Sequence, residues 1–226
     1  MSILDALDPP VVIAPSDPDK VRAAVVWLHG LGADGNDFVP VAQELVRRGF
    51  DDVRFIFPHA PLRKVTINGG MEMRAWYDIV GADLDRGEDG AGVRESARIA
   101  SALVEEQMAL GIEPGRIVLA GFSQGGAIAL HAALRFPRLL AGVLALSTYL
   151  PLPKTVADEV RSENRDLAIF LAHGSEDPII PLALSDRSCD RLAEIDIEVE
   201  THTYPMPHSV CPEEIRDIAN WLGRVL

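Results

Sequence analysis

The stretch from Arg116 to Gly126 reads Arg-Ile-Val-Leu-Ala-Gly-Phe-Ser-Gln-Gly-Gly, and few folds can accommodate it. An apolar, β-branched run (Ile117, Val118, Leu119) breaks at a glycine and presents a serine. More glycine follows, then a helical pattern carried by Ile128, Leu130, His131, Leu134 and Arg135. Small residues two before and two after the serine let the backbone crowd together without a Cβ clash. Gly121-Phe122-Ser123-Gln124-Gly125 therefore reads as a sharp strand-to-helix turn with the serine at its tip. A serine that merely caps a helix after a glycine-rich turn is the alternative, and the strand and helix patterns on either side argue against it. Ser123 is the candidate nucleophile.

Around this turn, strand-like apolar runs alternate with amphipathic helical stretches. That is the pattern of an α/β fold: a mostly parallel central sheet with helices on both faces. Strands are predicted at Val11 to Ala14, Ala23 to Leu28, Val53 to Phe57, Ile117 to Ala120, Gly142 to Leu146, Ala168 to Ala172 and Ile197 to Tyr204. Helices are predicted at Phe38 to Arg48, Gly92 to Leu110, Gly125 to Phe136, Leu182 to Glu194 and Pro212 to Val225. Pro212 suits a helix start, where its missing N–H costs nothing. Pro58 to Asp89 carries no helical pattern and is too long for an idle connection. Within it, Val65-Thr66-Ile67 and Met71-Glu72-Met73 flank Asn68-Gly69-Gly70, a sequence suited to a tight hairpin turn. Between Thr148 and Leu167 there is room for a loop and one short helix, so no large cap domain is expected.

At 226 residues the chain suits one domain, 1–226. Its 48% apolar and 24% charged residues exclude a disordered chain, and no apolar run is long enough to span a bilayer. The net charge of −13, with basic residues scattered singly or in pairs such as Arg47-Arg48, argues against nucleic acid and against stable association with anionic membranes. Met1 to Pro10 carries Asp5 and Asp8 and no basic-then-apolar pattern, so a cytoplasmic location is expected. Cys189 and Cys211 are expected as reduced, buried thiols. Monomer and homodimer remain equally open.

A serine hydroxyl needs a general base, and the base needs an acid to hold its tautomer. On a sheet of this type the acid and then the histidine follow the serine, each at the carboxyl end of a strand. The run Ala168 to Ala172 leads into His173-Gly174-Ser175-Glu176-Asp177-Pro178, which makes Asp177 the candidate acid, ahead of Glu176 and of Asp166 at the wrong end of the strand. Two histidines follow, His202 and His208. Alternation puts His202 on a strand face shared with Glu198, Glu200 and Tyr204, a face read as polar. His208 lies past the strand end in a loop stiffened by Pro205 and Pro207, and is the candidate base. An oxyanion needs backbone donors. The N–H of Gln124, directly after the serine, is one; the N–H of Leu31, in the glycine-rich loop His29-Gly30-Leu31-Gly32, is the other. His29 itself is expected to brace that loop. No paired ligand spacing supports a metal, and no cofactor is expected.

With these residues in hand the chain resembles the phospholipase/carboxylesterase family of α/β hydrolases, which includes the acyl-protein thioesterases and small bacterial carboxylesterases. The resemblance runs nearly end to end. It rests on Leu28-His29-Gly30-Leu31-Gly32, Arg74-Ala75-Trp76-Tyr77-Asp78, Gly121 to Gly126, His173 to Pro181 and His208. It implies an α/β-hydrolase fold, a triad of Ser123, Asp177 and His208, an oxyanion hole from Leu31 and Gln124, and a place for Trp76 near the acyl site. Tyr77 stands where relatives often carry phenylalanine. The expected activity is a cofactor-independent serine carboxylesterase acting on small-molecule esters of short-to-medium acyl chains and on thioesters. Lysophospholipase or acyl-protein thioesterase is the alternative role. A non-catalytic binding protein of the same fold is disfavoured because all three triad residue types are present. The apolar residues Trp76, Ile179, Ile180 and Met206 are expected to rim an open groove.

Overall fold

A computed structural model describes residues 3–81 and 88–226. Nine strands alternate with six helices among these residues: β1 (Val11–Ile13), β2 (Ala23–Leu28), α1 (Val39–Arg47), β3 (Val53–Phe57), β4 (Leu62–Val65), β5 (Met71–Arg74), α2 (Gly90–Ala109), β6 (Ile117–Phe122), α3 (Gln124–Arg135), β7 (Gly142–Leu146), α4 (Val156–Glu159), β8 (Ile169–Gly174), α5 (Leu182–Ala193), β9 (Glu200–Tyr204) and α6 (Pro212–Val225). Seven strands form one sheet in the order β1-β3-β2-β6-β7-β8-β9, parallel except at the β1 edge. Each of the seven predicted strands is present.

The inner strands of the sheet are buried on both faces, and alternation along them divides their side chains between two apolar layers. Ala24, Val26 and Leu28 of β2 face the layer that holds Val93 and Ala100 of α2 and the apolar residues of α3. Val25 and Trp27 face the opposite layer, with Ala42 and Leu45 of α1 and Ile218, Trp221 and Leu222 of α6. Trp27 stacks on Phe38, ring centroids 5.1 Å apart.

The last strand is shorter than expected. β9 pairs only with β8, and their register opens at Phe170 opposite Glu200, so Ile197 to Val199 have no partner strand and do not extend it. The face carrying His202 is polar as expected at Glu200 and His202, which bond at 3.0 Å, but not at its end. Tyr204 is buried in the layer under α6, and the His202 ring stacks on Phe170 with centroids 4.6 Å apart. α6 gives Tyr204 a polar partner as it covers it: the Tyr204 hydroxyl donates to Asp217 at 2.9 Å, a contact a strand sequence alone does not reveal.

The excursion after β3 is a two-stranded antiparallel hairpin, β4 with β5. Thr66 and Ile67, expected in its first strand, instead form a 3₁₀ turn with Asn68, and Gly69 and Gly70 follow with φ of 68° and 75°. Of the segment Pro58 to Asp89, residues 82–87 lie outside the described residues. Between β7 and β8 there are only the single turn of α4 and two 3₁₀ turns, Pro153–Thr155 and Ser162–Asn164. Both cysteines are free and half-buried rather than buried.

Candidate active site

Ser123 sits between β6 and α3 with φ 54° and ψ −121°, a conformation that costs a non-glycine residue about 1–3 kcal/mol and persists only where its surroundings enforce it. The surroundings here are explicit. The Ser123 N–H donates to the Leu146 carbonyl at 2.8 Å, and the Thr148 hydroxyl donates to the Ser123 carbonyl at 2.7 Å. A Cβ on Gly121 would lie 2.3 Å from the Gly125 carbonyl, and one on Gly125 would lie 2.3 Å from the Leu28 carbonyl oxygen. The two glycines of the pentapeptide are thus required by backbone contacts, with each other and with the end of β2.

Asp177 follows β8. Its Oδ1 accepts the N–H groups of Ile179 (2.8 Å) and Ile180 (2.9 Å), and its Oδ2 accepts His208 Nδ1–H at 2.6 Å. Buried His173 lies on the other side, its Nε2 3.3 Å from the same Oδ2 and donating to the Ile180 carbonyl at 2.8 Å. The carboxylate is therefore ringed by donors, and the histidine it meets is held as the tautomer whose Nε2 is free to take a proton. The loop carrying His208 is stitched to the acid loop by Ser175 N–H to the Tyr204 carbonyl and Glu176 N–H to the Met206 carbonyl, at 2.8 and 3.1 Å. It crosses the end of β8 at Gly174, where a Cβ would lie 2.2 Å from the Met206 carbonyl oxygen. His208 then packs its ring against Phe122, the residue before Ser123, with centroids 4.7 Å apart.

The loop after β2 reaches the same place: an added Cβ on Gly30 would lie 3.5 Å from the Ser123 Cβ. His29 braces it, as expected. Its Nε2 accepts the Ala60 N–H at 3.0 Å, which leaves Nδ1–H to donate to the Gly30 carbonyl at 2.7 Å. Burial holds its pKa down at about 4, so the ring stays neutral. The Gln124 N–H opens α3, where a helix has no internal acceptor to offer.

Of the four apolar residues expected at the rim, only Ile179 is open to solvent, at 63% exposure. Trp76, Ile180 and Met206 are buried. Trp76 lies beneath the site, and its indole N–H donates to the His29 carbonyl at 2.9 Å. Ile180 packs with Tyr149 and Leu184. His202 lies within β9 against Phe170, and Glu176 is exposed. Thr148, His173 and the Gln124 side chain take part in the site without having been singled out from the sequence. Thr148 and the Gln124 side chain reach partners 25 to 48 positions away, which no local pattern marks, whereas His173 reaches Asp177 and Ile180 in the turn it opens. Among the described residues no three His, Cys, Asp or Glu side chains gather in a way that could hold a metal ion, and no helix is long and apolar enough to cross a membrane.

Comparison with known proteins decides the family. The model of the family described as Phospholipase/Carboxylesterase matches residues 7–226. The chain belongs to that family. Within the phospholipase/carboxylesterase family it is 42% identical to a protein named acyl-protein thioesterase 1 from Mycosarcoma maydis, over 100% of this chain and 99% of that one. Among solved structures it is similar to Arabidopsis thaliana SOBER1, with 28% identity, a TM-score of 0.86, and 90% and 99% of the two chains covered. It is also similar to Zea mays acyl-protein thioesterase 2, with 27% identity, a TM-score of 0.82, and 95% and 97% covered. The α/β-hydrolase fold expected from the sequence is the fold of this family member.

Proposed function

We propose that this ester hydrolase of the phospholipase/carboxylesterase family cleaves short-to-medium-chain carboxylic esters, with thioesters as a second class, through an acyl-enzyme on Ser123. The observation that carries this reading is the 2.6 Å bond between Asp177 and His208, made beside the strained turn that presents Ser123. In the proposed mechanism His208 Nε2 takes the Ser123 hydroxyl proton as Oγ attacks the substrate carbonyl carbon. The N–H groups of Leu31 and Gln124 receive the negative charge that develops on the carbonyl oxygen. His208 then returns the proton to the departing alcohol or thiol, and the acyl group stays on Ser123. Water, deprotonated by the same imidazole, attacks the acyl-enzyme, and the imidazolium returns that proton to Ser123 Oγ as the acid is released. Asp177 holds the imidazole upright and stabilises its cationic form without taking the proton itself.

A fluorophosphonate probe tests the nucleophile: it is expected to label the wild type and to leave Ser123→Ala unlabelled, and labelling that survives that substitution would overturn the reading. Steady-state hydrolysis of a panel of p-nitrophenyl esters sets the acyl preference, and the rates are expected to be indifferent to chelator.

The name carried by relatives about 40% identical favours a second reading, removal of acyl groups from proteins. It is the better description if an S-acylated peptide is turned over with a higher kcat/KM than any simple ester of the same acyl group.

A further inference from the structure

Trp76 makes more polar contacts than a core aromatic needs. Its indole N–H donates to the His29 carbonyl at 2.9 Å, and its ring lies against the His29 imidazole with centroids 5.4 Å apart. Its main-chain N–H donates to the Gln124 side-chain oxygen at 2.7 Å, while the Gln124 side-chain amide donates to the Tyr77 carbonyl at 2.8 Å. The Ser96 hydroxyl, from α2, donates to the Trp76 carbonyl. Two residues earlier, the Arg74 carbonyl accepts the Gly32 N–H at 2.9 Å. One short stretch, residues 74–77, running from the end of β5 into a bend, is therefore bonded on one side to the loop that carries Leu31 and on the other to the residue that opens α3. Trp76, Ser96, His29 and Gln124 are all buried, so the bonds that Trp76 makes to them do not compete with solvent.

We propose that Trp76 is a positioning residue that sets the separation of the two oxyanion donors, holding the Leu31 loop through the His29 carbonyl and the start of α3 through the Gln124 side chain. This rests on the assignment of Leu31 and Gln124 as those donors. Neither donor belongs to the same secondary structure element as the other: one follows β2 and the other follows β6. Their parallel pairing, with Leu28 opposite Gly121, aligns the strand ends, and the Leu28 and His29 carbonyls pack on the Gly125 backbone. Trp76 adds directional hydrogen bonds to that packing. It acts through its neighbours' backbones and has no surface to offer a substrate.

The consequence separates this role from that of an acyl-site wall. A wall residue changes chain-length preference and KM. A residue that spaces the oxyanion donors changes transition-state stabilisation equally for every acyl group. The test compares wild type, Trp76→Phe, which keeps an aromatic ring but removes the indole N–H and the second ring, and Gln124→Met, which keeps length and removes both side-chain bonds. Each is assayed on p-nitrophenyl acetate, butyrate and octanoate, with butylboronic acid as a tetrahedral analogue and thermal melting to establish folding. In each folded variant kcat is expected to fall roughly 10- to 10²-fold, by the same factor on all three esters. KM should stay within about threefold, and boronate affinity should weaken in step. Either variant, if folded with an unchanged kcat or with a loss confined to one chain length, overturns the proposal. A wild-type chain that hydrolyses none of the esters overturns the function itself, a failure visible before any variant is made.

Discussion

Phe122 and His208 face each other with ring centroids 4.7 Å apart, although their strands, β6 and β9, are separated by β7 and β8. Three strand spacings amount to about 14 Å, a gap the His208 loop closes by crossing directly over the end of β8. Gly174 permits that crossing, because any side chain there would occupy the place of the Met206 carbonyl.

The position of His208 separates it from the other histidine that follows Asp177. His208→Ala and Asp177→Asn are each expected to lower kcat by roughly 10³-fold or more. His202→Ala and Glu176→Gln should stay within about tenfold. His202 is stacked on Phe170 and bonded to Glu200 at 3.0 Å, and Glu176 engages the site only through its backbone. Steady-state kinetics of the four variants decide it; an inactive His202→Ala beside an active His208→Ala would reverse the assignment.

The glycines of the turn are expected to differ sharply from those of the hairpin. Gly121→Ala and Gly125→Ala place a Cβ 2.3 Å from backbone atoms that cannot retreat, and each should lower stability by more than about 3 kcal/mol or abolish soluble expression. Gly69→Ala and Gly70→Ala meet nothing within 4 Å and incur only the positive-φ penalty, on the order of 1 kcal/mol. Urea denaturation of the four variants measures the contrast.

Glu214, in the first turn of α6, is fully buried, and that burial, reinforced by the nearby Asp217 charge, raises its pKa to about 8. The folded protein therefore holds a proton that the unfolded chain has released above about pH 4.5. Stability from this group is full below that pH and is lost as pH rises toward 8, by a few kcal/mol at most. Glu214→Gln should remove this component. Melting temperatures between pH 5 and 8.5 are expected to fall more steeply for the wild type than for the variant, and parallel profiles would show that Glu214 does not titrate in this range.

With only α4 and two 3₁₀ turns between β7 and β8, that interval holds no cap to be displaced by a lipid surface. Rates on a p-nitrophenyl ester series should follow dissolved substrate and show no rise when the solubility limit is passed. A sharp acceleration on emulsified long-chain triglyceride would contradict an open groove.

The sequence by itself determined the features that depend on neighbours along the chain. Alternating apolar runs and helical periods specified all seven strands of the large sheet, because side-chain direction repeats every two or 3.6 residues whatever lies beyond. The Gly121 to Gly125 pentapeptide specified a turn, and chain order named Asp177 and His208 as candidates. Tertiary structure decided what depends on strands distant in sequence lying side by side. Tyr204, expected on a polar face, is buried in the layer under α6, since burial is set by what packs on a strand and not by the strand's own pattern. Thr66 and Ile67 left the hairpin strand for a turn, because pairing with β5 ends at Val65. Trp76 is placed near an acyl site only by the family resemblance, and the residues alone allow a core aromatic equally well. Its buried bonds to His29 and Gln124 join residues 47 and 48 positions away, and no local period can encode a contact of that span.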